Sequence, residues 1–175
     1  MKELRGSYSE TRARTTEEFQ RLDDCINEDL FANTAIRHEA SAHVVLSMSI
    51  ERRLLITCAS NVRVEARISD ENPKTALAVW NALPIKGKVN RWGDEIYFPT
   101  TINLKEEKAH AEVEVGDLAY WPPGNAICIF FGATPASKHG EPRAYSPVNV
   151  FAKVIGDATA FKKVRDGEQI TLERV

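Results

Sequence analysis

Neither sign of charge dominates this chain of 175 residues. Its 23 lysines and arginines are interspersed with 25 aspartates and glutamates, for a formal net charge of −2. Phosphate backbones are bound by a concentrated basic face, so nucleic acid is not expected as a partner. Cysteine is scarce: Cys25, Cys58 and Cys128 are odd in number and widely spaced, and no C-x-x-C occurs. That argues against a disulfide framework or a zinc knuckle and fits a reducing cytoplasm. No apolar run approaches the roughly 20 residues of a membrane span, and the opening residues Met1 to Ser7 lack the apolar stretch of a secretory signal. Metal-binding histidine spacing is missing too. His38 and His43 are five apart in His38-Glu39-Ala40-Ser41-Ala42-His43, which on a helix separates them by roughly 140°, whereas a metal pair stands four apart on one face. The expectation is a soluble, cytoplasmic protein with no metal, no cofactor and no membrane partner.

What is present divides at about residue 48. Residues 1–47 read as an extension holding one helix, about 15–30. Thr15 opens it with Glu18 in capping-box position, and Phe19, Leu22, Ile26 and Leu30 follow on one face. That apolar face needs a cover, either the rest of the chain or a second copy, so a homodimer through this helix is one reading. From Ile50 onward the pattern is mostly β. Val62, Val64, Ala66 and Ile68 alternate with Arg63, Glu65 and Arg67, the signature of a strand with one wet face. Asn72-Pro73 starts a helix with Ala76, Val79, Trp80 and Leu83 as its apolar stripe. Further strands are expected at 85–90, 95–98, 112–115, 118–121, 127–131, 148–155 and 169–174, with a short helix at 158–164. Many short strands with two short helices predict a mostly β, closed barrel over residues 48–175.

Three segments resemble the small bacterial and archaeal cyclophilin-like proteins, a family of unassigned function. They are Lys88-Val89-Asn90-Arg91-Trp92-Gly93-Asp94-Glu95-Ile96-Tyr97-Phe98, the long run from Gly116-Asp117-Leu118-Ala119-Tyr120-Trp121-Pro122-Pro123-Gly124 to Gly132, and Arg143-Ala144-Tyr145-Ser146-Pro147-Val148-Asn149-Val150. The resemblance implies a closed cyclophilin-like barrel of about eight strands. It also invites the isomerase reading, in which Phe130-Phe131 stand where true cyclophilins have the aromatic pair of the proline pocket. The other pocket positions do not carry over: the cyclophilin histidine falls near Val148 and the tryptophan near Arg143. No Arg-x-x-x-x-Phe-x-x-Gln arrangement occurs.

Trp92, Tyr97, Tyr120, Trp121, Phe130 and Phe131 are the candidate ligand-binding residues, with Arg91 as polar anchor. Aromatics leading into the rigid Pro122-Pro123-Gly124 turn suit the wall of a site at the barrel mouth. An alternative makes the aromatics core. A second constellation is Arg91, Asp94 and Glu95, with Arg143, Ser146 and Asn149 as neighbours through the fold: either Arg91 clamps a carboxylate or a carbonyl of the ligand, or Arg91 and Glu95 are a surface ion pair. Cys128 lies in an apolar strand, where cysteine behaves as a small buried hydrophobe. His110 and His139 read as solvated loop residues. The breaker-rich loop 133–143 is expected to overhang the pocket. The leading functional expectation is a barrel that binds a small molecule or a proline-containing peptide. The alternatives are a prolyl isomerase with a degenerate site and an interaction module that self-associates through the 15–30 helix.

Overall fold

The structure is a computed structural model and describes residues 52–175. The 15–30 helix, His38, His43, Cys25 and the division at residue 48 lie outside the described residues. Ten strands are present among those described: β1 (Arg53–Cys58), β2 (Arg63–Ile68), β3 (Ile85–Lys88), β4 (Asn90–Arg91), β5 (Glu95–Pro99), β6 (His110–Glu112), β7 (Asp117–Trp121), β8 (Ala126–Phe130), β9 (Arg143–Ile155) and β10 (Gln169–Arg174). One α-helix, α1 (Pro73–Ala82), and two 3-10 segments, Pro122–Gly124 and Ala158–Lys163, complete the set.

All pairings are antiparallel, and the hydrogen-bonded path runs β3-β10-β1-β2-β9-β7-β8-β5-β4, with β6 attached to β9 off that path. Among the described residues the ladder does not close on itself by hydrogen bonds, so what is shown is a mostly antiparallel β sheet and not the closed barrel expected from the sequence. Its two edges, β3 and β4, are consecutive segments joined through Val89. That residue is buried, its N–H donates to Glu168 O at 2.9 Å, and its carbonyl accepts from Gly167 N–H at 2.7 Å. These bonds break the single strand read at 85–90 into two, one pairing with β10 and one with β5.

Two other boundaries moved for physical reasons. The strand expected at 112–115 is instead β6, because the Asp117 carboxylate takes the Glu114 N–H at 2.7 Å and turns the chain there. β9 begins at Arg143, five residues before the expected Val148. Pro147 falls where the β6–β9 register is irregular and where its missing N–H breaks no regular ladder.

Inside the curled sheet, Leu54, Ile56, Ile96, Phe98, Leu118, Tyr120, Ile127, Ile129, Phe151 and Phe161 are fully buried. The helix α1 contributes Ala76 and Val79 to this core. Asn72 stands at its N-cap position, but its side chain does not cap. The amide donates to Val150 O at 2.8 Å and accepts from Lys108 N–H at 2.7 Å, while the Glu107 carboxylate accepts from the Lys74 and Thr75 N–H groups. One buried asparagine and one carboxylate thereby fasten the 100–109 segment to the sheet.

Candidate functional site

Side chains alternate across a strand, so β5, β7 and β8 each present two faces. Ile96, Phe98, Leu118, Tyr120, Ile127 and Ile129 join the main core. On the opposite face Val113, Ala119, Cys128, Phe130, Ala144, Val148 and Val150 form a second, smaller cluster, with Tyr97 and Trp121 packed against it. A cavity of about 240 Å³ opens in this outer face. The β4–β5 turn lines it with Trp92, β5 with Glu95 and Tyr97, β7 with Trp121, β8 with Cys128, and β9 with Ala144, Tyr145 and Val148.

Four aromatic rings wall this space. Trp92 stands edge-on to Tyr145 with centroids 6.1 Å apart and planes at 82°. Tyr97 meets Trp121 at 6.4 Å and 79°, and Trp121 meets Tyr145 at 6.5 Å and 84°. Edge-to-face contact is the favoured geometry for such pairs. Trp121 is held at both ends. Its Nε1–H donates to Ser146 Oγ at 2.8 Å, and its ring lies so close to Gly124 that a Cβ there would sit 2.3 Å from it. The Pro-Pro-Gly turn thus positions the tryptophan, and the glycine is required for that approach. Tyr145 forms the exposed rim, with 77% of its surface in solvent.

Glu95 is the charged residue of the cavity. It is only 5% exposed, and its carboxyl is pushed up from its ordinary value of 4.5 to about 7. Burial is the cause, with the Cys128 thiol pulling weakly the other way through a hydrogen bond. The same burial, with the neighbouring carboxylate, drives the Cys128 thiol far up, so it is no nucleophile. Among the described residues, no lysine, arginine or histidine lines the cavity.

The structure brings Trp92, Tyr97 and Trp121 together as expected neighbours and separates the rest. Tyr120 and Phe131 point into the main core: the Tyr120 hydroxyl lies 2.8 Å from Ile102 O and 2.9 Å from Asn125 Oδ1, and Phe131 packs on Phe161. Phe130 is fully buried in the second cluster without lining the cavity. The cavity therefore lies on the outer face of the strands, not at a barrel mouth. Arg91 does not pair with Glu95. Its Nε donates to Gly93 O and its Nη1 to Lys162 O and Val164 O, all at 3.0 Å, while Nη2 reaches Asp94 Oδ1 at 3.3 Å and the group sits over the Phe131 ring.

Of the other expected neighbours, Ser146 joins the site through Trp121. Arg143 instead pairs with Glu112 at 2.7 Å, and Asn149 is buried against Thr75 and Lys105 O. The loop from Ala133 to Pro142 does not overhang the cavity; it packs on the β4–β5 turn, where Asp94 N–H donates to Ala133 O at 2.8 Å. His110 is not a loose loop residue either, because it sits on β6 with its ring bonded to the Glu71 carboxylate.

Tyr145 was not among the sequence candidates, and Glu95 was read only beside Arg91 and Asp94, not as part of the aromatic wall. For Glu95 the signal was available: it stands two residues before Tyr97 on the same strand and so shares its face.

A second cavity, lined by Glu71, His110, Glu112, Glu114, Asp117 and Lys153 among others, has its charges matched internally. Among the described residues no cluster of side chains is suited to hold a metal ion, and no helix is long and apolar enough to cross a membrane.

Comparison with known proteins agrees with the sequence motifs. A family model described as Cyclophilin-like matches residues 52–173. The solution structure of a hypothetical protein from Archaeoglobus fulgidus is similar at 45% identity and a TM-score of 0.64, covering 73% of this chain and 97% of the archaeal one. No curated protein matches.

Proposed function

Since this chain belongs to the cyclophilin-like family, whose fold does not fix a function, we propose its function from the cavity: it binds a small molecule, or the end group of a larger one, between Trp92, Tyr97, Trp121 and Tyr145. The observation that carries this reading is the buried Glu95 carboxyl, which faces an open aromatic cavity with no basic residue among the described residues to match it. An isolated buried carboxyl is costly, and a protein that needed only a packed cluster there would do better with an apolar residue. The cavity, at about 240 Å³, is just below the range of about 300–1,000 Å³ that holds drug-sized ligands, so a fragment or a head group fits. The isomerase alternative draws nothing from Arg91, whose guanidinium is occupied by three backbone carbonyls and Asp94. The self-association alternative rests on the 15–30 helix, outside the described residues.

The three tryptophans make the reading testable. Trp92 and Trp121 line the cavity, while Trp80 lies elsewhere, against the guanidinium groups of Arg52 and Arg174. In a fragment screen read by indole N–H resonances, ligands are expected to shift Trp92 and Trp121 and leave Trp80 in place. Tyr145→Ala, an exposed change that spares the fold, should weaken every such hit. A screen in which no compound moves Trp92 and Trp121 ahead of Trp80 defeats the proposal.

A further inference from the structure

Resting on that binding reading, we propose that the cavity is selective for an alkylated ammonium group, enclosed by the aromatic walls and neutralised by Glu95. Three features of the site point to this class. The first is shape: rings set at 79–84° to one another cannot all stack on a flat ligand, but they wall a compact, rounded one. The second is charge. Among the described residues the cavity is lined by one carboxyl and no lysine, arginine or histidine, so an anion meets repulsion and a cation meets both the carboxylate and the negative faces of the rings. The third is hydrogen-bonding capacity. A bare ammonium carries three donors that must each find an acceptor, and this cavity is mainly apolar in its lining. Alkylation removes those donors while keeping the charge, so that little polar desolvation is left uncompensated.

Glu95 must be ionised to neutralise the ligand. The other titratable groups lining the cavity are Tyr97 on β5, Cys128 on β8 and Tyr145 on β9. The Cys128 thiol stays protonated well beyond neutrality. Affinity is therefore expected to rise as the pH passes upward through the region where Glu95 loses its proton. The same chemistry serves a free quaternary amine or a trimethylated lysine side chain.

The test titrates the full chain at mildly alkaline pH with choline and with its neutral isostere, in which carbon replaces the quaternary nitrogen, following the Trp92 and Trp121 indole resonances. Choline is expected to bind about tenfold or more tighter than the isostere, and Glu95→Gln should abolish most of that preference while still binding the isostere. Parallel titrations with a trimethyllysine peptide and its unmodified lysine counterpart separate the sources: binding of the methylated peptide assigns a side chain, and binding of choline alone assigns a free amine. Equal or tighter binding of the isostere overturns the cation proposal and leaves the binding site standing. Failure of both compounds and of the methylated peptide, when other fragments still shift Trp92 and Trp121, also overturns only the cation proposal. If no fragment shifts them either, both proposals fall.

Discussion

Two carboxylates are buried among the described residues, Glu95 at 5% exposure and Asp117 at 7%, and the fold provides for them in opposite ways. Asp117 accepts from Lys153 Nζ at 2.8 Å and from the Glu114 N–H at 2.7 Å, so β7, β9 and the turn before β7 are clasped through it. Glu95 has the Cys128 thiol and, among the described residues, no base. Burial penalises both charges, but only at Asp117 does the surrounding structure offset the penalty. The contrast is sharper along the chain itself. Asp94, one residue before Glu95, faces Arg91 at 3.3 Å and Lys162 at 3.6 Å. A charge matched from within is a structural fastener, while one left unmatched in an open cavity is available to something from outside.

The strongest way to break this comparison is to remove the charge of Glu95. Its carboxyl has an ordinary value of 4.5 and rises to about 7 in the folded chain. Between those values the folded protein holds a proton that the unfolded chain has released. Stability therefore falls as pH rises through this window, and the loss is complete above about 7. The full effect amounts to as much as about 3 kcal/mol. Glu95→Gln lacks the titration, so it should be the more stable protein by up to that amount at mildly alkaline pH, with no advantage near pH 4.5. Urea denaturation of both proteins at the two pH values checks this, and parallel pH dependence would mean that Glu95 is not an uncompensated buried acid.

Most of the fold was readable in the chain because its strands alternate cleanly. Val64, Ala66 and Ile68 face inward as the pattern requires, and a turn at Gly93, with φ at +66°, falls in the gap between the strands read at 85–90 and 95–98. The site was half readable. Tyr120-Trp121 and Phe130-Phe131 are adjacent pairs on or at the end of strands, and period-two geometry sends the members of each pair to opposite faces. Trp121 and Phe130 share the face of Tyr97, and of these two only Trp121 reaches the cavity. Arg91 was misleading for a different reason. Its partners Lys162 O and Val164 O are carbonyls more than seventy residues away, and no local pattern announces a backbone acceptor. Tyr145 was missed because the strand that carries it was read as starting only at Val148, whereas it starts at Arg143.

Arg91 tests the matched side of the comparison. Losing bonds to three carbonyls and one carboxylate, Arg91→Ala should cost about 2 kcal/mol of stability. Lysine should recover less than half of this, because an ammonium cannot reproduce the guanidinium fork. The indole shifts of Trp92 and Trp121 on ligand binding should survive in the folded variant. A binding loss that exceeds the stability loss would return Arg91 to the site as a ligand anchor.

The smallest expected effect makes Asp117 resemble Glu95. The Lys153 ammonium sits above its ordinary value, since burial lowers it but its bonds to Asp117 and Glu114 outweigh that. Its side chain is 41% exposed, so the pair is screened, and Lys153→Met should cost about 1 kcal/mol at neutral pH. Most of that cost is the penalty of leaving Asp117 buried without its base, so it should shrink when Asp117→Asn removes the charge as well. A double-mutant cycle with no coupling would show that Lys153 does not compensate Asp117. The two buried carboxylates would then be alike, and the absence of a base beside Glu95 would lose its force as a mark of a binding site.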